Sequence, residues 1–335
     1  MHALPICSLT KKNDWKKQLA DAISSPAELL QQLELEHLLT DQTEINSNFC
    51  LRVPQVYVNK MKKGDANDPL LLQVLPTLAE NGLYGDTDPV GDLDAMPSPG
   101  LLHKYHGRAL IITTAACAIH CRYCFRRHFP YSDAHPLSSQ WPATLDYLKQ
   151  HTDIKEVILS GGDPLVLDDN KLATLCHDLE SIPHLKWLRI HTRLPVVLPS
   201  RINPSLLSWM QNSRFRITMV IHANHASELG DAEMLALKSL KKANITLLNQ
   251  SVLLKNINDH APALIDLSHR LHDFGVMPYY LHILDQVQGG LHFDVTRVKA
   301  SQIIDNMRTM LPGYLVPRLV TEEKGQSSKT AISYI

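Results

Sequence analysis

Cys117-Ala118-Ile119-His120-Cys121-Arg122-Tyr123-Cys124-Phe125-Arg126-Arg127-His128 is the stretch on which the reading of this 335-residue chain turns. Three cysteines fall within eight residues in the spacing C-x3-C-x2-C, directly after the apolar run 109–116. Short spacings of this kind let several thiolates converge on one metal centre. The count of three is the informative part. A [4Fe–4S] cube held by three cysteines leaves one iron without a protein ligand, and an open coordination position marks a catalytic metal rather than a structural one. Two alternatives stand beside this reading. Zinc would take His120 or His128 as a fourth ligand, and three unligated cysteines would pack as small hydrophobes.

Composition narrows the setting. Apolar content of 44% and charged content of 20% are those of a soluble globular enzyme, and the length suits one large domain or two ordinary ones. A net charge of −1 with no long basic run argues against a nucleic-acid surface. The six cysteines are too few and too clustered for a disulfide framework. With no secretory leader, they point to a reducing cytoplasm. No apolar stretch approaches the roughly 20 residues that a membrane span needs. Cys7, Cys50 and Cys176, outside the cluster, read as packing residues.

Moving outward, residues 1–95 read as a mainly helical N-terminal region with a linker. Ser25-Pro26-Ala27-Glu28 is a capping box with proline at the first helical position, followed by Leu29, Leu30, Leu33 and Leu35. Residues 68–75 suggest a short helix or turn, and turn formers dominate 80–100. Beyond residue 100, strand-like runs at 109–114, 156–160, 187–192, 217–221, 245–248 and 279–284 alternate with helical segments. Those helices are expected at 141–150, 171–180, 204–211, 226–242, 261–274 and 295–310. Such alternation predicts parallel βαβ units curling into a barrel-like arc, with a doubly wound open sheet as the competing fold. The unusual residues follow the strands in turn: the cysteines, Ser160-Gly161-Gly162-Asp163-Pro164, His191-Thr192-Arg193, His222, Asn249-Gln250-Ser251 and Asp285. Parallel α/β folds build their sites at the carboxyl ends of strands, so this is one site.

Each stretch has an ordinary reading too. Gly161-Gly162-Asp163-Pro164 alone is a turn signal, Arg126-Arg127 alone is a solvated basic pair, and Lys329 alone is an exposed tail lysine. Taken together, the C-x3-C-x2-C spacing and the Gly-Gly-Asp one strand later resemble the radical S-adenosylmethionine (SAM) enzymes. That resemblance implies a radical SAM partial (β/α)6 TIM-like barrel over residues 96–320. It also implies a [4Fe–4S] cluster on Cys117, Cys121 and Cys124, whose open iron SAM chelates, and SAM contacts from Ser160, Gly161, Gly162 and Asp163. Arg193 and, near the adenosyl group, His222 complete that cofactor-binding set. A one-electron donor such as flavodoxin or ferredoxin is implied as partner.

The resemblance narrows further. Residues 107–127, Ser160–Leu165, Leu188–Val196, Asn249–Leu254, Pro278–Tyr280 and Lys324-Gly-Gln-Ser-Ser-Lys329-Thr resemble lysine 2,3-aminomutases, which use pyridoxal 5′-phosphate (PLP) beside SAM. Lys329, in a C-terminal segment 321–335, then holds PLP, with Arg108 and Gln250 contacting it. Arg126 holds the carboxylate of L-lysine, and Asp285 and Glu322 hold its ε-ammonium. Here Lys-Gly-Gln-Ser-Ser replaces the family's run of glycines, and Glu322 stands where the family has an aspartate. The implied reaction takes a hydrogen from Cβ and moves the amine from C2 to C3. The short tail resembles the bacterial subgroup that makes (R)-β-lysine for translation elongation factor P, which implies a functional link to an elongation factor P lysyl-ligase. The zinc-binding C-terminal extension of the clostridial type is absent by this reading, so no oligomer is carried over. Two other classes remain open: an aminomutase for glutamate or arginine, and a non-enzymatic zinc-stabilised module. Paired carboxylates argue against glutamate, whose side chain they would repel.

Overall fold

Nine strands form one sheet in strict chain order: β1 (Leu101–Tyr105), β2 (Arg108–Thr114), β3 (Glu156–Gly161), β4 (Trp187–Thr192), β5 (Arg216–Ile221), β6 (Thr246–Val252), β7 (Met277–His282), β8 (Arg318–Thr321) and β9 (Thr330–Ala331). This is a computed structural model, and it describes residues 15–39, 49–132 and 140–332. Strands β2 to β8 run parallel, while β1 and β9 lie antiparallel at the two edges. A doubly wound sheet reverses its strand order at a switch point. The order here never reverses, so the alternation builds the expected barrel-like arc. The six expected strands are β2 to β7, and the short β1, β8 and β9 are additions at the edges.

Local sequence explains the elements. The strands carry Val, Ile, Leu and Met on the face packed under the helices, while alternate residues such as His191 of β4 and Gln250 of β6 turn to the interior of the arc. Val157, Leu159, Leu188, Ile190, Met219 and Ile221 are all fully buried. Helices start on side-chain caps: Asp168 accepts from Lys171 N at 2.9 Å, and Asn203 from Leu206 N at 2.9 Å. The helix expected over 226–242 is divided in the structure. A 3-10 turn, Ala226–Glu228, precedes the helix Asp231–Lys242, and extended Gly230 stands between them as the cap. Strand β6 runs to Val252, past the expected end, so Asn249, Gln250 and Ser251 lie within it; likewise Ser160 and Gly161 are the last residues of β3. Strand β7 ends at His282, which puts Asp285 in the loop beyond.

The N-terminal region contributes the short helices Trp15–Ala20, Pro26–Gln32 and Gln55–Val58. Ser25 caps the second of them, accepting from Glu28 N at 3.3 Å. Leu29, Leu30, Leu33 and Leu35 are buried in the same apolar core as the barrel strands. Residues 80–100 are turn-rich as expected, and they also carry the buried Glu80 and Asp92 into the interior. Cys176 is a packing residue, but Cys50 is exposed, with its thiol 3.9 Å from His120 Nδ1. Cys7 lies outside the described residues. No helix among the described residues is long and apolar enough to cross a membrane.

Candidate active site

The cysteine loop leaves the end of β2 and is fixed from the N-terminal side. His120 N donates to Arg52 O at 2.9 Å, Arg122 N to Gln73 O at 2.9 Å, and Arg52 Nε to Cys117 O at 3.1 Å. Arg122 is wholly buried and its guanidinium grips Glu80, which Arg127 also meets at 2.7 Å. Held this way, Cys117, Cys121 and Cys124 line one cavity of about 680 Å³ with their thiols free. Burial, and then the charge of Cys121, pushes the Cys124 thiol up to about 11. Of the two histidines considered as zinc ligands, His128 is bonded to Gln288 O at 3.0 Å and does not line the cavity. His120 does line it, with Nδ1 tied to Cys50 O at 2.8 Å. Among the described residues no three His, Cys, Asp or Glu side chains are gathered around one ion. A cubane takes its thiolates at separate corners, so three cysteines lining a cavity suit it better than they suit a single zinc.

The glycines after β3 face the same loop. At Gly161, φ is +119°, and a Cβ there would lie 2.7 Å from Thr114 O. At Gly162 it would lie 2.3 Å from Ala116 O. The close approach that demands glycine is therefore to the chain entering the cysteine loop, where Gly162 N and Asp163 N donate to Thr114 O and Ala116 O at 2.7 and 2.9 Å. The Asp163 carboxylate turns inward. It accepts from Leu165 N, Thr192 Oγ1, Arg193 N and Leu194 N at 3.0, 2.7, 2.7 and 3.2 Å, so its work is to join the ends of β3 and β4. Arg193 in turn places Nη1 2.7 Å from Cys121 Sγ.

Across the cavity stands a row of alternating charges. Arg126 donates to Asp92 at 2.7 Å and to Ser160 Oγ at 3.0 Å. Asp92 meets Lys104 at 2.5 Å, Lys104 meets Glu322 at 3.2 Å, and Glu322 meets Lys329 at 2.6 Å. Burial would raise the Glu322 carboxyl, but Lys329 and Lys104 outweigh it and bring it down to about 2. Asp285 has no such compensation: burial, only partly opposed by Lys329, lifts it to about 7, and its Oδ1 is buried without a partner. Arg108 stacks on Tyr105, 4.7 Å from the ring centre, and Gln250 lines the cavity beside it. All fifteen site residues expected from sequence face this one cavity.

The Radical SAM superfamily profile matches residues 111–267, the span from β2 through the helix after β6. The chain is 45% identical to the L-lysine 2,3-aminomutase of Escherichia coli (strain K12) over 325 residues, covering 96% of this chain and 95% of that one. Its identity to the Haemophilus influenzae L-lysine 2,3-aminomutase is 44%, with 96% of each chain covered. The chain belongs to the L-lysine 2,3-aminomutase family. With the aminomutase of Clostridium subterminale it shares 33% identity over 328 residues, and it covers 78% of that longer protein.

Asp92 and Lys104, the two links between Arg126 and Glu322 in this aminomutase, are not marked by any motif in the sequence. Asp92 sits in a turn-rich stretch and Lys104 in an unrecognised edge strand, so neither carried a local signal. His222, expected near the adenosyl group, is joined by two further histidines. His191, His222 and His282 line the aminomutase cavity with Nε2 buried and unpartnered. Burial holds all three below the ordinary histidine range, His222 at about 4, so they enter the site as neutral rings.

Proposed function

We propose that this enzyme, an L-lysine 2,3-aminomutase by family, uses the one cavity for all three cofactors and for lysine. The observation that carries the assignment of roles is the convergence of the three thiols, the glycine-bearing end of β3 and Lys329 on that cavity. The donor sets suit the groups. Three free cysteines fit a [4Fe–4S] cluster with an open iron, the cavity-lining segment Ser160–Gly162 fits the amino-acid end of SAM, and Lys329 with Arg108 and Gln250 fits PLP. Bound there, the cluster and SAM supply a 5′-deoxyadenosyl radical while PLP carries the migrating amine.

The chain's own residues then do the positioning. Arg126, oriented by Asp92 and Ser160, offers its remaining amino group to the lysine carboxylate. Asp285 and Glu322 meet the ε-ammonium, because a buried cation needs opposite charge. Two fixed ends leave Cβ at one place along the cavity, and such restraint lets the radical reach one carbon and not its neighbour. Neutral His191, His222 and His282 line the interior without adding charge, and burial keeps water from the radical.

The (R)-β-lysine product, a one-electron donor of the flavodoxin or ferredoxin class, a cytoplasmic setting and service to elongation factor P belong to this proposal. Near-full-length coverage of the Escherichia coli relative, against 78% of the clostridial one, supports the shorter bacterial type.

Anaerobically reconstituted protein, given SAM, PLP, a strong reductant and isotopically labelled L-lysine, is expected to form β-lysine. Formation should stop when any cofactor is omitted and in Lys329→Ala. SAM cleavage without β-lysine would overturn the lysine assignment and leave the radical SAM site standing.

A further inference from the structure

We propose that Arg193 tunes the iron–sulfur cluster: its guanidinium donates a hydrogen bond to the Cys121 sulfur and raises the cluster's reduction potential. The inference rests on the reading that Cys117, Cys121 and Cys124 hold that cluster.

The geometry is specific. Nη1 of Arg193 lies 2.7 Å from Cys121 Sγ, and the side chain is only 5% exposed. The other end of the fork is tied down three times, with Nη2 donating to Glu228 Oε2 at 2.7 Å, Gln73 Oε1 at 2.6 Å and Tyr57 Oη at 3.2 Å. Rings of Tyr57 and Tyr123 flank the cation, 5.6 and 5.8 Å from it. Asp163 fixes its backbone nitrogen. Glu228 is itself immobilised, accepting from Asn224 N at 2.7 Å and His225 N at 3.1 Å. Cys124, by contrast, takes its hydrogen bond from the backbone of Arg126.

A guanidinium, planar and always charged, can serve a sulfur and a carboxylate at once through separate nitrogens of one rigid fork. Its effect follows from charge. The cluster gains one electron from an external flavin or iron–sulfur donor before it passes that electron to SAM, and the reduced form carries the extra negative charge. A buried donor against a ligand sulfur favours that form, and hydrogen bonds to sulfur are among the levers that set such potentials. Low local polarity strengthens the interaction. The anchors Gln73 and Tyr57 come from the N-terminal region, so residues outside the barrel would govern how easily the cluster is reduced.

Wild type, R193Q and R193K are reconstituted with iron and sulfide, assayed for iron, and titrated against redox mediators with the reduced cluster followed by EPR. In iron-replete R193Q the reduced-to-oxidised ratio at a fixed potential should fall at least tenfold, which is about 59 mV for a one-electron couple. R193K, keeping charge but losing the fork, should fall between. An unchanged potential in iron-replete R193Q overturns the proposal. Where R193Q does not retain iron, wild type labelled with guanidino-15N arginine decides: the reduced cluster should show a 15N coupling by pulsed EPR that R193K loses. Absence of that coupling overturns the proposal. A wild-type protein that binds no cluster overturns the cluster reading itself.

Discussion

Asp285 and Glu322 both face the cavity, yet their surroundings push them in opposite directions. Glu322 sits between two lysines and stays ionised down to about 2, whereas Asp285 is lifted to about 7 by burial that Lys329 only partly offsets. An ammonium pairs with a carboxylate only once the proton has left. KM for lysine is therefore expected to fall as pH rises through about 7, and Asp285→Asn should flatten that dependence. The same substitution should raise KM by about 10- to 100-fold at pH 8, the worth of one charged hydrogen bond. Steady-state kinetics from pH 6 to 8.5 checks both, and an unchanged KM would remove Asp285 from the substrate pocket. Stability carries the reverse sign. Asp285 holds its proton more tightly folded than unfolded, so it lowers stability as pH climbs from the ordinary carboxylate range to about 7. Ligand-free Asp285→Asn should lose less in melting temperature than wild type between pH 5 and pH 8. Neither environment was legible in the sequence. Lys104 and Glu322 are 218 positions apart, and no local pattern records a partner at that distance.

The cysteine loop is the element with the most external support, and its clamps make strong predictions. Arg122 and Glu80 form a wholly buried pair. Removing Arg122 takes from buried Glu80 one of its two guanidinium partners and leaves Arg127 as the other, so the loss should fall below the about 3–5 kcal/mol of a fully unpaired buried charge. Arg122→Ala should show that loss in denaturant unfolding, together with a loss of iron-binding capacity. Gly162→Ala should disturb the same loop from the other side, because a methyl group there collides with Ala116 O. Its expected signature is low iron content after reconstitution, read by metal analysis. Sequence carried this element well. Cysteine spacing and the paired glycines are local, and the apolar positions of β3 to β5 stand out because the face of each strand packed under the helices is fully buried. Edge strands β1, β8 and β9 escaped notice because they are five, four and two residues long. Their register comes from a neighbour already in place, and short strands leave little periodicity to read. The motif marks Asp163 as a cavity residue, but it says nothing of the four internal donors that hold its carboxylate, because Thr192, Arg193 and Leu194 lie a whole strand away in sequence.

Over the whole molecule the site residues divide along the sheet. Strands β2 to β5 and the loops after them carry the cysteines, glycines, Arg193 and His222, while β6 to β9 and their loops carry Gln250, Asp285, Glu322 and Lys329; Arg108 and Arg126, on β2 and in the loop after it, reach across that division. Radical generation and amine migration should accordingly come apart. Lys329→Ala is expected to keep its iron and still convert SAM to methionine and 5′-deoxyadenosine, with β-lysine lost, as chromatography of one reaction mixture would report. The contact between the two ends of the sheet has a different consequence. Strands β1 and β9 are not paired in the sheet; the contacts between the two ends run from Lys104 of β1 to Glu322, just past β8, and from Asp86 to Lys324 at 2.6 Å further out. Two ion pairs thus fasten this side of the barrel, beside a single backbone bridge from Asp86 to Val287. Salt screens the half-exposed Lys324–Asp86 pair and reaches the largely buried Lys104–Glu322 pair far less. Rising ionic strength would therefore undo the outer button of the barrel and leave the inner one, which lines the cavity, closed.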